Sequence, residues 1–130
     1  QAERGCWPDA AMGPVGKIFC DNLYPQSSTP YRYVNSGMWI GTAAAAFNLF
    51  TEMVAYTPGL DDQHVVNHIF VDLQKRFALD RRSQLFQSMH GDTVIADIRP
   101  VHTSLGEPFV FNTLTRTRPL ILHFNGGGKR

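Results

Sequence analysis

One stretch constrains this fold more than any other: Arg32-Tyr-Val-Asn-Ser-Gly-Met-Trp-Ile-Gly41, with the Ala-rich run from Thr42 behind it. Tyr33, Val34, Met38, Trp39 and Ile40 are β-branched, aromatic or otherwise apolar, so the stretch predicts a buried strand running into a helix. Asn35-Ser36-Gly37 interrupts that apolar run and adds nothing to a strand's stability. A glycine inside a strand pattern marks a bulge or a place where a ligand approaches the backbone, and Asn35 would offer that ligand both donors and acceptors. An ordinary bulged strand or turn accounts for the same residues equally well.

At 130 residues, with 43% hydrophobic and 18% charged side chains, the chain can build one core, which predicts a single domain. A formal net charge of +1 and the absence of a basic run interleaved with aromatics argue against nucleic acid as a partner. No segment approaches the roughly 18 apolar residues of a transmembrane helix. The chain starts with Gln, which suggests a processed or trimmed product. Cys6 and Cys20 could close a small disulfide loop or remain two buried thiols, and without Cys-x-x-Cys spacing a sulfur-based zinc site is not expected.

Residues 1 to 31 contain Pro8, Pro14, Pro25 and Pro30 and read mostly as ordered loop, with Trp7 as a plug over the core. Thr42 is a plausible N-cap for an amphipathic helix through Ala43, Ala46, Phe47, Phe50 and Val54, covering a sheet and ended by Pro58-Gly59. Asp61-Asp62-Gln63 opens a second helix whose Val66, Ile69, Phe70 and Leu73 form an apolar stripe. Capping and the helix dipole explain one carboxylate there, and two plus a Gln less well. His64 and His68 have the i, i+4 spacing of a metal pair but lack the Glu of a zincin, and they are expected to face solvent. Residues 77 to 87 read as a strand in which Asp80 pairs with Arg81 or Arg82 or orients a site. Met89 to Asp92 reads as a turn, Thr93 to Pro100 as a strand, His102 to Glu107 as a loop and Phe109 to Leu114 as a short helix or strand.

Pro119 to Phe124 reads as a buried strand running into Asn125-Gly-Gly-Gly-Lys-Arg130. A strand delivering His123 ahead of a Gly-rich loop and two cations can place an imidazole on a metal and backbone amides plus Lys129 on phosphates. It is not a Walker loop, because no Ser or Thr follows Lys129. A core histidine followed by a plain tail is the alternative.

The order of these pieces resembles a known family. Cys6-Trp-Pro8, Tyr33-x-Asn35-Ser-Gly37-x-x-Ile-Gly41, Asp61-Asp-Gln63, Asp72, Leu79-Asp80-x-x-Ser83-x-Leu-Phe-Gln87 and His123-x-Asn-Gly126-x-x-Lys129 are similar to the glycosyltransferase domain of the procollagen lysyl hydroxylase and collagen glucosyltransferase family. The resemblance covers nearly the whole chain. It implies an α/β, Rossmann-like GT-A fold, a mixed sheet flanked by helices, that binds a UDP-sugar with Mn²⁺. It implies that His123 is a metal ligand and that Gly126 and Lys129 lie on the phosphate side. Asn35, Asp61 and Asp62 would line the sugar and acceptor pocket, with Trp7 and Cys6 flanking it. A divalent ion and Lys129 would neutralise the diphosphate leaving group while carboxylates and amide position the sugar.

In that family an Asp-x-Asp lies just upstream of Cys-Trp-Pro, and none is present here. The resemblance therefore implies the C-terminal, acceptor- and sugar-side part of a transferase domain, without the nucleotide-binding half. The expected activity is transfer of glucose or galactose to a hydroxyl such as hydroxylysine, or its galactosyl form, in collagen-like protein. The implied location is the secretory pathway, in the endoplasmic reticulum or Golgi lumen. Asn-Gly-Gly-Gly-Lys in place of Asn-Gly-Pro-Thr-Lys, and a longer Cys6–Tyr33 segment, are departures that bear on acceptor and sugar. The competing reading is a non-catalytic module, derived from such a transferase, that binds a glycan or a partner.

Overall fold

A computed structural model describes residues 1–56, 61–72, 77–91 and 96–126. It is a mixed α/β structure in which three two-stranded sheets alternate with four helices: β1 (Ala2–Glu3), α1 (Trp7–Met12), α2 (Pro14–Asn22), β2 (Tyr33–Val34), α3 (Ala43–Ala55), α4 (Asp62–Asp72), β3 (Phe86–Ser88), β4 (Ile98–His102), β5 (Pro108–Asn112) and β6 (Ile121–His123). β1 and β2 are antiparallel, as are β4 and β5, whereas β3 and β6 run parallel with Phe86 opposite Ile121 and Ser88 opposite His123. The α/β class is as expected, but in place of one mixed sheet the described residues form separate short pairs, two antiparallel and one parallel.

The first 31 residues are not mostly loop. Pro8 and Pro14 sit in the first turns of α1 and α2, where a missing N–H costs nothing and the fixed φ favours the helix. Cys6 and Cys20 are disulfide-bonded and tie the two helices into a hairpin. Gly16 of α2 meets the backbone of Pro8 so closely that a Cβ would overlap its carbonyl.

The expected long strand after Arg32 is only Tyr33–Val34, because Asn35 turns the chain: its Oδ1 accepts from the Gly37 N–H at 2.9 Å. Thr42 caps α3 through its hydroxyl, which accepts from the Ala45 N–H. α3 does not cover a sheet; none of its residues is buried, and Phe47 and Val54 are 71% and 84% exposed. Pro58-Gly59 lies outside the described residues.

α4 is the core helix. Val66 and Phe70 pack with Tyr24 and Val34, ringed by Phe19, Trp39, Met53 and Phe77, and Ile69 is buried beside them. The expectation that His64 and His68 face solvent fails. His64 is buried and stacks on the half-buried His68, because α2 and the end of α3 pack over that side of the helix. Leu73 lies outside the described residues.

In the 77–87 region only Phe86–Ser88 is strand. Asp80 makes a turn there, its carboxylate accepting from the N–H groups of Gln84, Leu85 and Phe86 at 2.9, 2.7 and 2.9 Å. The strand expected from Thr93 begins at Ile98 and runs to His102, residues 92–95 being outside the described set. Phe109 to Asn112 is strand, not helix. β6, expected to be buried, is half-exposed, since among the described residues its only sheet partner is β3. Tyr31, Gln87 and Asn112, all fully buried, join the β4–β5 hairpin to the body. The Asn112 Nδ2 donates to Tyr31 Oη at 2.9 Å and Gln87 Oε1 at 2.7 Å, and its Oδ1 accepts from the N–H groups of Leu114 and Thr115.

Candidate active site

The carboxyl ends of β3 and β6 lie side by side, and the loops leaving them meet the turn that follows β2. At this meeting point Glu3, at the end of β1, is buried among amides. Its Oε2 accepts from Asn35 Nδ2 at 2.9 Å and Asn125 Nδ2 at 3.3 Å, and its Oε1 accepts from Gln63 Nε2 at 2.8 Å. Gln63 Oε1 in turn accepts from the Ser36 N–H and hydroxyl, both at 2.8 Å. Ser88 donates to Asn125 Oδ1 at 2.9 Å. One carboxylate thus fastens β1, the Asn-Ser-Gly turn, the start of α4 and the loop after β6. Burial pushes the Glu3 carboxyl above its ordinary range, and the amide donors and the charge of His90 only partly offset this.

His123 joins the cluster through its ring. Gly37 passes so close that a Cβ there would overlap the His123 Cε1 and Nε2, which explains why the turn carries glycine. The His123 Nδ1 lies 2.7 Å from Gln1 Oε1. With that carbonyl as acceptor, Nδ1 carries the proton and Nε2 is the lone-pair nitrogen, the tautomer a metal-binding imidazole needs. Gln1 is itself anchored, its backbone nitrogen lying 3.1 Å from the Met38 carbonyl oxygen. Gly126 approaches the His90 ring equally closely.

Asp61 and Trp7 form a second group along the same helix start. Asp61 Oδ1 accepts from the His64 N–H at 2.9 Å as the N-cap of α4, and also from Trp7 Nε1 at 3.0 Å. Asp62 follows, exposed, in the first turn of α4. Cys6 holds Trp7 in place through the disulfide. The structure thus gathers Asn35, His123 and Gly126 around the Glu3 cluster and places Asp61, Asp62 and Trp7 at the helix start that Gln63 links to it. Lys129 lies outside the described residues. Asn35 commits its donor to Glu3 and its acceptor to Gly37, so its side chain shapes the site.

Against protein families, residues 1–130 match the model of the PLOD GT domain. The chain belongs to that family. Curated relatives of this PLOD GT domain chain include the multifunctional procollagen lysine hydroxylase and glycosyltransferase of Caenorhabditis elegans, 30% identical over 98% of the chain. The procollagen-lysine,2-oxoglutarate 5-dioxygenase of Drosophila melanogaster is 33% identical over 98%. An uncharacterized protein of Acanthamoeba polyphaga mimivirus, R699, is 29% identical over 99%. The chain spans 17% of the length of the first two and 24% of the third. Membership makes this a glycosyltransferase-family domain.

A manganese ion fits the PLOD GT chain only in part. Among the described residues no three His, Cys, Asp or Glu side chains lie close enough to hold an ion, and His123 would offer a single imidazole. The residues that the linear reading missed are Glu3, Gln1 and Asn125. Asn125 stood inside a quoted motif, but Glu3 and Gln1 carry no local signal, since only the fold brings three amides to one carboxylate.

Proposed function

We propose that this chain is the acceptor- and sugar-side part of a metal-dependent hexosyltransferase that moves glucose or galactose from a UDP-sugar to a hydroxyl of a collagen-like protein, such as hydroxylysine or its galactosyl form. The observation that carries the reading is the convergence of Asn35, Gln63 and Asn125 on Glu3, with His123 packed against Gly37 of the same turn, at the carboxyl ends of two parallel strands, where open α/β sheets bind ligands. The names of the nematode and fly relatives supply the acceptor class, and with it a secretory-pathway location, which a disulfide-bonded chain suits.

In this reading His123 is one ligand of Mn²⁺, the other ligands lying outside residues 1–130. The ion, when bound, offsets charge on the diphosphate leaving group. Gln1 holds the imidazole in its metal-binding tautomer. Glu3 and Asn35 fix the turn whose Gly37 lets the ring come close. Asp62, exposed beside Gln63, is the carboxylate this chain offers to the sugar or acceptor hydroxyls, and Trp7, held by Asp61, gives a flat apolar edge for a sugar face. Gly126 and Lys129 take the phosphate side.

The test is Asp62→Asn in the natural full-length protein, assayed with UDP-glucose and UDP-galactose on a hydroxylysine peptide. Asn keeps the polar contacts of a helix start, so the melting temperature should stay within about 2 °C while turnover falls at least about 100-fold. Unchanged turnover sinks the role of Asp62. A wild-type protein that binds a glycan but transfers no sugar would establish the non-catalytic module instead.

A further inference from the structure

α4 carries a second cluster that the transferase reading does not use. His64 and His68, one turn apart, bring their Nε2 atoms to 3.1 Å, with the rings 4.9 Å apart and 18° from parallel. His64 is only 9% exposed. Phe19 of α2 packs on His68 at 4.6 Å, and Tyr56, just past α3, lies 6.0 Å from it. Burial, and then the neighbouring His64, hold His68 below the ordinary imidazole pKa, opposed by the charge of Asp72. Two Nε2 atoms at hydrogen-bond distance on adjacent turns of one helix are the geometry on which a site can be built.

We infer that His64 and His68 form a two-nitrogen chelate for a borderline divalent transition ion of the Zn²⁺ and Cu²⁺ class. Metal–nitrogen bonds of about 2.05 Å spanning the observed separation would subtend about 98°, between the right angle of a tetragonal site and the tetrahedral angle. Turning the rings about χ2, a broad torsion, would bring both lone pairs to one ion. Each ring would bind through Nε2 with its proton on Nδ1, so that both Nε2 lone pairs go to the ion. Water fills the remaining positions. Hard ions such as Mg²⁺, Ca²⁺ and Mn²⁺ prefer oxygen and are not the ligands of a site made of two imidazoles.

The site rests on different residues from the His123 cluster, so the two readings stand or fall separately. Zn²⁺ titrated calorimetrically into the 130-residue chain at pH 7.5 should bind one equivalent. His64→Gln and His68→Gln should each weaken binding about 100-fold, since a chelate becomes a single ligand, and His123→Gln should leave it unchanged. Cu²⁺ bound to the wild-type chain should show electron paramagnetic hyperfine structure from two nitrogens, a readout that does not need the variants to fold. Undiminished affinity in His68→Gln, loss of binding in His123→Gln alone, a one-nitrogen spectrum, or no binding up to millimolar Zn²⁺ would each overturn the assignment.

Discussion

α3 and α4 are adjacent in sequence, similar in length and opposite in fate. α3 reads AAAAFNLFTEMVA and buries none of its residues; α4 reads DQHVVNHIFVD and buries six, including Asn67 and His64. The more apolar helix is the outer one. Composition says how much a helix would gain by burial, and partners decide whether it is buried. α4 is clamped between β2, α1 and the aromatic group of Tyr24, Phe19 and Phe77, while the Phe47 face of α3 meets solvent in this chain.

The sharpest way to break this contrast is to truncate one apolar side chain on each helix. Ile69→Ala, in α4, should cost about 2–5 kcal/mol in urea denaturation, and Phe47→Ala, in α3, no more than about 0.5 kcal/mol. Comparable losses would mean that something covers α3 in solution.

A smaller effect separates the polar side of α4 from its apolar one. Glu3→Gln replaces a group that keeps acceptor lone pairs on both oxygens, protonated or not, by one whose NH₂ only donates and is set against another NH₂, so it should destabilise the chain by about 1–3 kcal/mol at acid pH. The sign with pH follows from the raised folded pKa. The folded state favours the protonated carboxyl, so this group's contribution is greatest below about 4.5, falls as pH rises through the raised folded value, and is constant above it. The wild type should therefore lose its advantage over Glu3→Gln as pH rises through that window, read as a narrowing gap in melting temperature. A gap that widens instead would show the amides outweighing burial.

Smallest are the caps. Asp61→Ala should cost about 1–2 kcal/mol, because it removes the α4 cap and the Trp7 bond together, and Thr42→Ala about 0.5–1 kcal/mol at exposed α3. Equal values would place the two helix starts on the same footing.

How far these features could be read beforehand depends on whether their cause is local. Thr42, Asp61 and the stripe of Val66, Ile69 and Phe70 act through neighbours a turn away, and the structure bears them out. Pro8 and Pro14 misled because proline marks both loops and first helical turns, and only the Cys6–Cys20 hairpin decides between them. His64 was misplaced because its side of α4 is covered by residues 45 positions earlier and by the end of α3. Of the site, the Asn35-Ser36-Gly37 turn and His123 were legible as an interruption and a motif. Their meeting at Gly37 was not, since it depends on β3 and β6 pairing across more than thirty residues.

The buried knot of Tyr31, Gln87 and Asn112 makes the β4–β5 hairpin a key that fits one way. All but one of that hairpin's strand residues are exposed or half-buried, and apolar contact alone would hold its alignment weakly. A slip of one residue would turn Asn112 outward and strand the Gln87 and Tyr31 polar groups in the interior, at about 1–3 kcal/mol for each orphaned group. Misaligned hairpins are thereby rejected by the body of the domain.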